Sequence, residues 1–274
     1  MTSAADDLAF EELARRISEG GGFAIDGYKS KCIRRRIAVR MRACGVHTYG
    51  DYQRLLDHNP VEYEHLRDAL TINVTRFYRN ADTWNLLRRD LIPRLWASAS
   101  GEIRIWSAGC SSGEEAYTVA ILVADHLERA GRSGELDRLV VDATDVDRLS
   151  LERAEAARYR PENMAEMPAD LVSRYLEPAG PDLQVVARVR KRVFVRRVDL
   201  NSAAPPRRDY HMVVCRNVLI YFDRPTQERL LQIFTDSLLP GGYLVLGKVE
   251  TLFGTVRDRL LLVDPRERVY RRPA

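Results

Sequence analysis

The sequence predicts an α/β fold with a small all-α domain in front of it. Three observations carry this. No β-rich run occurs before about residue 90, strands and helices alternate after about residue 100, and "WSAGCSSGEEAYTVA" at 106–120 joins a strand to a helix through a glycine loop.

In chain order, "DDLAFEELARRISEG" has apolar residues near helical spacing and a glycine stop. "SKCIRRRIAVRMRACG" puts Ile33, Ile37 and Met41 on one helical face, fills the other faces with arginines and stops at Gly45. "TYGDYQRLLDHNP" and "PVEYEHLRDALTIN" continue the helical pattern, so residues 1–90 read as the helical N-terminal domain and linker, and 91–274 as the α/β domain. Beyond residue 100, "EIRIWSA", "DRLVVDATD", "RVFVRRVDL", "YHMVVCRN" and "YLVLG" read as strands. The helices between them are "EEAYTVAILVADHLERAG", "RLSLERAEAARY" and "RPTQERLLQIFTDSLLPGG". That alternation means a parallel sheet covered on both faces. "RLLLVDPRERVYRR" reads as a closing antiparallel pair. A proline-containing stretch at about 159–197 breaks the rhythm and is taken as an inserted subdomain.

The 274 residues are 45% hydrophobic and 30% charged, as in ordinary soluble globular proteins. Cys32, Cys44, Cys110 and Cys215 are far apart with no His at ligand spacing, so neither a metal site nor a disulfide framework is expected. "MTSAADDLAF" has no apolar signal core, and no run of about 18 apolar residues exists, which favours the cytoplasm. The net charge of +4 is concentrated at 28–45 and 187–197. No aromatic stacking platform accompanies it, so an acidic protein surface is favoured over nucleic acid.

Ligands of open parallel sheets sit at the carboxyl ends of the strands. There the sequence places "AGCSSGEE", then Asp145 and Asp147, then Asp199 and Asn201, then Arg216, Asn217, Tyr221 and Asp223, then Lys248 and Glu250. Asp145 could accept hydrogen bonds from ribose hydroxyls, or cap the next helix unless Asp147 does so. A helix start behind glycines is commonly a phosphate seat, but Glu114 and Glu115 stand at this one. Two like charges about 4 Å apart cost roughly 4 kcal/mol at an effective dielectric near 20. A phosphate-free, cationic nucleoside such as S-adenosylmethionine fits better.

Six ordered motifs, "YKSKCIRRRIAVRM", "TINVTRFYRN", "WSAGCSSGEEAYTVA", "ATDVD", "CRNVLIYFD" and "LLPGGYLVLG", followed by "ETLFG", resemble the CheR-type chemoreceptor glutamate O-methyltransferases over nearly the whole chain. The resemblance implies a Rossmann-like class I S-adenosylmethionine-dependent methyltransferase sheet, a helical N-terminal domain and an inserted small β-subdomain. It implies S-adenosylmethionine as cofactor and S-adenosylhomocysteine as product. By motif, Asn73, Thr75 and Arg79 resemble cofactor and active-site contacts, and one of Glu114 and Glu115 is expected to hold the methionyl ammonium. Gly109 lies in the cofactor loop, Asp145 matches the ribose acid, Cys215, Arg216 and Asn217 match the segment lining the cofactor, and Tyr221 matches the active-site tyrosine. Asp199-Leu200 stands where many relatives have Asn-Leu, implying a different adenine contact. Gly247-Lys248-Val249-Glu250 stands where many have Gly-His-Ser-Glu, implying a different pocket mouth. Arg34, Arg35, Arg36, Arg40 and Arg42 are expected to dock acidic cytoplasmic helices of chemoreceptors, with Arg79 and Tyr221 as catalytic residues. The enzyme is expected to be a monomer that meets the membrane only through its receptor. Methylation of another protein acceptor, or a non-catalytic S-adenosylmethionine-binding module, are the alternatives.

Overall fold

The computed structural model describes residues 4–19, 25–71, 75–201 and 204–274. The chain begins with α1 (Ala4–Glu19), α2 (Ser30–Ala43), α3 (Tyr49–His58) and α4 (Pro60–Leu70). Ile33, Ile37 and Met41 are buried on one face of α2, and Gly45 leaves the helix at φ 67°, a left-handed turn that suits glycine. Thr48 caps α3 by accepting from the Asp51 amide; Asn59 caps α4 in the same way from Glu62, with Pro60 in the first turn. Phe10, Leu13, Ile17, Ile37 and Leu66 form the bundle core. Glu62 is buried within it. Arg40 donates to both of its oxygens at 3.0 and 2.5 Å, and the Tyr52 hydroxyl donates at 2.7 Å.

Next come α5 (Ala81–Leu86), a π-helical turn over Leu87–Leu91 and α6 (Ile92–Ser98). They are helical, but Trp84, Leu87, Leu91, Leu95 and Trp96 pack into the α/β core. The expected boundary at residue 90 is therefore corrected. The bundle core ends at Leu70 and the α/β core begins at Phe77. Periodicity identifies a helix without identifying what it packs on.

The sheet is built from β1 (Ile103–Ala108), β2 (Leu139–Asp145), β6 (Val193–Arg197), β7 (Tyr210–Cys215) and β8 (Leu238–Leu246), closed by β9 (Leu261–Asp264) and β10 (Val269–Arg271). The helices α7 (Glu114–Arg129), α8 (Arg148–Ala156) and α11 (Arg224–Ser237) cross between strands. The order is β6-β2-β1-β7-β8-β10-β9; the first five strands are parallel and the last two antiparallel. The expected parallel sheet with a closing antiparallel pair is thus present. Among the described residues no helix is long and apolar enough to cross a membrane.

Between α8 and β6 lie β3 (Arg158–Tyr159), α9 (Ala169–Tyr175), β4 (Leu176–Ala179), β5 (Asp182–Val185) and α10 (Ala187–Arg190). The three strands form a separate antiparallel sheet in the order β3-β5-β4. The insertion does not reach residue 197. β6 pairs in parallel with β2 from Val193 opposite Val141 to Arg197 opposite Asp145, so those five residues belong to the main sheet. The insertion is bolted down by Asp125 of α7, a buried carboxylate reached by Arg88 at 2.9 Å, Arg129 at 3.0 Å and Arg174 of α9.

The Glu62 network offers a direct test. Burial alone raises the Glu62 pKa, but hydrogen bonds from Arg40 and Tyr52 outweigh it and hold the carboxyl at about 2. A carboxyl lowered on folding stabilises the fold above its unfolded pKa of about 4.3, and the contribution is lost as pH falls towards the folded value. Arg40→Ala should destabilise the protein by about 3 kcal/mol at neutral pH. In urea titrations the gap between variant and wild type should shrink below about pH 4. A gap unchanged with pH would assign the loss to packing instead of charge.

Candidate functional site

A cavity with about 1080 Å³ of empty space, part of it open to solvent, lies at the carboxyl ends of β1, β2, β6 and β7. This is where the strand order reverses between β1 and β7, the usual ligand position of an open α/β sheet. The helical bundle closes the far wall with Tyr28, Cys32, Ile33 and Arg36, and the segment joining the two parts contributes Thr75 and Arg79.

The glycine loop is the cavity floor. Gly109 has φ 77°, and a Cβ there would lie 2.6 Å from a Val218 methyl, so only glycine fits. The loop amides face inwards. Gly109 and Cys110 donate to the Thr144 carbonyl, Ser111 to an Asp145 carboxylate oxygen at 2.8 Å, and Gly113 to the Cys110 carbonyl. Those donors are unavailable to a phosphate, which gives a second reason beside charge why this loop is no phosphate seat.

The two glutamates face different ways. Glu114 is buried outside the cavity lining; it accepts from the Ser112 hydroxyl at 2.8 Å and from Asn163 Nδ2 of the insertion at 3.1 Å. Glu115 lines the cavity with 12% of its side chain exposed and accepts from the Ser107 hydroxyl at 3.0 Å. Burial pushes its pKa up to about 7, against the pull of Arg216, whose Nη1 is 3.7 Å away. Arg216 lies over the Trp84 ring at 4.8 Å and donates through Nη2 to the Arg79 carbonyl at 2.8 Å and Asn80 Oδ1 at 3.1 Å. Its Nε is buried with no hydrogen-bond partner among the described residues.

Along the neighbouring wall, Asp145 accepts from the Ser111 and Asp147 amides, which fix its carboxylate in place. Asp147 is the residue that caps α8, accepting from the Ser150 amide at 3.2 Å, so Asp145 is left to the cavity. Val146, Val198 and Leu200 add an apolar surface, and Asp199 stands beside them with Oδ1 accepting from the Asn201 amide.

Arg79 and Tyr221 line the same cavity. Arg79 sits between two residues of left-handed backbone, Tyr78 at φ 59° and Asn80 at φ 63°. Each such residue costs about 1 kcal/mol or more, so surrounding contacts must hold the turn. Tyr221 ends a one-turn helix over Leu219–Tyr221 that is held from both sides. From the bundle, the Lys29 amide donates to the Tyr221 carbonyl at 2.8 Å, and the Gly27 carbonyl accepts from the Asp223 amide at 2.7 Å. From the sheet, Glu250 accepts from the amides of Asn217 at 3.0 Å, Val218 at 2.9 Å, Ile220 at 3.4 Å and Gly247 at 2.7 Å. A Cβ on Gly247 would lie 2.7 Å from that carboxylate. This carboxylate nest was not anticipated. Its only sequence signal is Gly-x-x-Glu directly after an apolar strand.

Other expected residues fall elsewhere. Asn73 lies outside the described residues. Cys215 is fully buried and does not line the cavity, because the strand has not yet turned outwards; Arg216 and Asn217 do line it. Lys248 reaches Asp82 at 3.1 Å and Glu267 at 3.2 Å, away from the cavity lining, so the expected change of pocket mouth is corrected to a surface ion pair. The five docking arginines also split. Arg40 is committed to Glu62, which removes it from a docking face. Arg34 pairs with Asp7 at 2.9 Å and covers the Phe10 ring. Arg36 donates at 2.5 and 2.7 Å to the Ala69 and Thr71 carbonyls at the end of α4 and lines the cavity. Arg35 and Arg42 remain exposed to solvent.

A sheet of this order, with an acid-lined cavity at its switch point and, among the described residues, loop amides turned away from it, suits a cationic nucleoside without phosphate. The chain belongs to the CheR methyltransferase family: residues 8–71 match the family's all-alpha domain and residues 73–267 its SAM binding domain. It is similar to the chemotaxis protein methyltransferase of Klebsiella aerogenes, 36% identical over 262 residues that span 92% of this chain and 86% of the relative. The corresponding protein of Listeria innocua is 34% identical and covers 90% of each chain. That of Escherichia coli is 33% identical, covering 90% of this chain and 85% of its own. The cofactor is S-adenosylmethionine, and the cavity fits it: an ionisable carboxylate, a fixed acid at the second strand and an apolar wall converge there.

Glu250→Gln should lower stability by about 2 kcal/mol, because an amide nitrogen would face amides it cannot accept from. Urea unfolding of the two proteins measures the difference, and equal midpoints would deny Glu250 its anchoring role.

Proposed function

We propose that the chain transfers the methyl group of S-adenosylmethionine to glutamate side chains on the cytoplasmic helices of chemoreceptors, giving glutamate 5-O-methyl esters. The observation that carries this reading is that Arg79 and Tyr221 meet Glu115 and Asp145 around one cavity, whose outer wall is the arginine-bearing helix α2. The names of the relatives, chemotaxis protein methyltransferases, support the pathway.

When bound, the cofactor supplies an electrophilic methyl group on a positively charged sulfur. Glu115 is the carboxylate that meets the ammonium, while Glu114 ties the loop to the insertion. Asp145, with the remaining lone pairs of its fixed carboxylate, would accept from the ribose hydroxyls, and Val146, Val198 and Leu200, with Asp199 beside them, would hold the base. Thr75 and Asn217 would border the amino-acid end, and Gly109 lets the loop pack closely against Val218 in the cavity wall. A solvent-exposed glutamate side chain titrates at about 4.3, so the acceptor is already ionised at neutral pH and no residue needs to remove a proton. Catalysis then consists mainly of positioning. Arg79 orients the acceptor carboxylate through its planar guanidinium, and Tyr221, which lines the same cavity, helps to fix it. Arg35 and Arg42, exposed on α2, draw in an acidic receptor helix, and Arg36 stands where that helix would reach the cavity.

A receptor cytoplasmic fragment incubated with methyl-labelled cofactor should gain alkali-labile label; alkali-stable label would point to another acceptor atom. Arg79→Ala should cut kcat by about 100-fold while S-adenosylhomocysteine still binds. Full methylation by that variant would remove Arg79 from the mechanism. Glu115 adds a pH signature. With its pKa near 7 it is protonated, and therefore neutral, below that pH. Affinity for S-adenosylhomocysteine, which carries the same ammonium, should fall as pH drops below about 7, by up to about tenfold per pH unit, and Glu115→Gln should bind weakly with a flat profile. Calorimetry across that range reads both, and a flat wild-type profile would count against Glu115 as the ammonium partner.

A further inference from the structure

The insertion touches more than the sheet it interrupts. Its first residues reach directly into the segment that carries Arg79. The Asn163 carbonyl accepts from the Phe77 amide at 3.0 Å, and Glu166 Oε2 accepts from the Asn80 amide at 2.9 Å. Glu166 Oε1 lies 3.0 Å from Arg76 Nε. The Tyr159 ring packs edge-on against Phe77 at 4.8 Å, and its hydroxyl donates to the Ser112 carbonyl of the glycine loop at 2.7 Å. Arg79 is thus bracketed. The amide two residues before it and the amide directly after it both end on the insertion, and the two residues on either side of it have left-handed backbone. A non-glycine residue stays in that region only when its surroundings over-determine it.

We propose that Glu166, supported by Asn163, is a positioning residue: from the inserted subdomain it holds the left-handed turn at Asn80 and thereby aims the Arg79 guanidinium into the cavity. This rests on the reading above that Arg79 orients the acceptor. The insertion is then part of the active site's frame, because its own anchor at Asp125 and α9 keeps Glu166 in place. The ion pair to Arg76 is secondary, since Arg76 is half exposed and such pairs contribute little.

The test uses two variants and two readouts. Glu166→Ala removes the acceptor of the Asn80 amide; Glu166→Gln keeps an oxygen for it but gives up the charge facing Arg76. By nuclear magnetic resonance on the full chain bound to S-adenosylhomocysteine, the Asn80 amide should exchange about tenfold faster in Glu166→Ala, with Glu166→Gln near wild type and the Val141 amide of the sheet unchanged. With a receptor cytoplasmic fragment as acceptor, Glu166→Ala should lower kcat about tenfold with KM for the cofactor within about twofold, and Glu166→Gln should restore most of it. In an Arg79→Ala background the Glu166→Ala change should cost nothing further, because the residue it aims is gone. Wild-type exchange at Asn80 in Glu166→Ala, or a loss that multiplies with that of Arg79→Ala, overturns the proposal. If wild-type protein forms no ester, the reading of Arg79 as acceptor clamp falls, while the exchange measurement still decides whether Glu166 holds the turn.

Discussion

One buried guanidinium organises the site. Arg216 leaves β7 into a place almost without solvent, where burial pushes its pKa down from the usual arginine value. An unpaired charge there would be costly, and the surroundings answer it on three sides: the Trp84 ring below, the Arg79 carbonyl and Asn80 side chain at one edge, and Glu115 at the other. Each partner comes from a different element. Removing Arg216 would therefore release the Arg79 turn, the Trp84 seat of α5 and the counter-charge of Glu115 together. At 3.7 Å the pair with Glu115 offsets only part of the desolvation of either group, which is why burial is the leading cause of both pKa shifts. Glu115 thus retains capacity for a second cation on its cavity side.

The glycine loop shows how far local pattern carries. Gly109, Gly113 and the helix start make the outline of a phosphate cradle, and the charges of Glu114 and Glu115 were enough to argue against phosphate. The structure adds that the loop amides are turned inwards by Thr144 and Asp145, two residues at the end of β2. A helix start becomes an anion site only when its donors face the ligand. Here a strand about thirty residues later has taken them, and no spacing rule within the loop reports that.

What was legible followed from period and end signals. The α2 face of Ile33, Ile37 and Met41, the alternation of strands and helices, and the closing hairpin all belong to short stretches whose pattern is complete in itself. What was not legible depended on a distant partner. Arg40 looks like its neighbours on α2, yet a carboxylate buried in α4 claims it. Cys215 sits in the motif beside Arg216, but the last strand residue faces the core while the next two turn out. Glu114 and Glu115 are adjacent and chemically identical, and only the insertion's Asn163 on one side and the cavity on the other tell them apart. The alternation in "RVFVRRVDL" marked a strand, but its parallel pairing with β2 was needed to place it in the main sheet.

The cavity lies where the hydrophobic clusters meet: Ile33 and Leu70 of the bundle core, Trp84 and Cys110 of the α/β core, and Leu200 and Phe222 of a further cluster in the α/β domain all line it. Tyr28 packs partly against the bundle core and against the cluster of Leu200 and Phe222, and its ring meets Phe222 at 4.4 Å, directly after Tyr221. From the same turn of the bundle, the Lys29 amide and the Gly27 carbonyl hydrogen-bond to the chain at Tyr221 and Asp223, and Lys29 Nζ adds a bond to the Ile220 carbonyl at 2.7 Å. The N-cap residue of α2, Lys29, is therefore hydrogen-bonded to Tyr221, which lines the cavity. With Glu250 holding the same loop from the sheet side, Tyr221 moves only if one of these sets of bonds breaks. The start of α2 is thereby held at a fixed offset from Tyr221. Under the proposed function, that offset would set which side chain of a helix docked on α2 reaches the cavity.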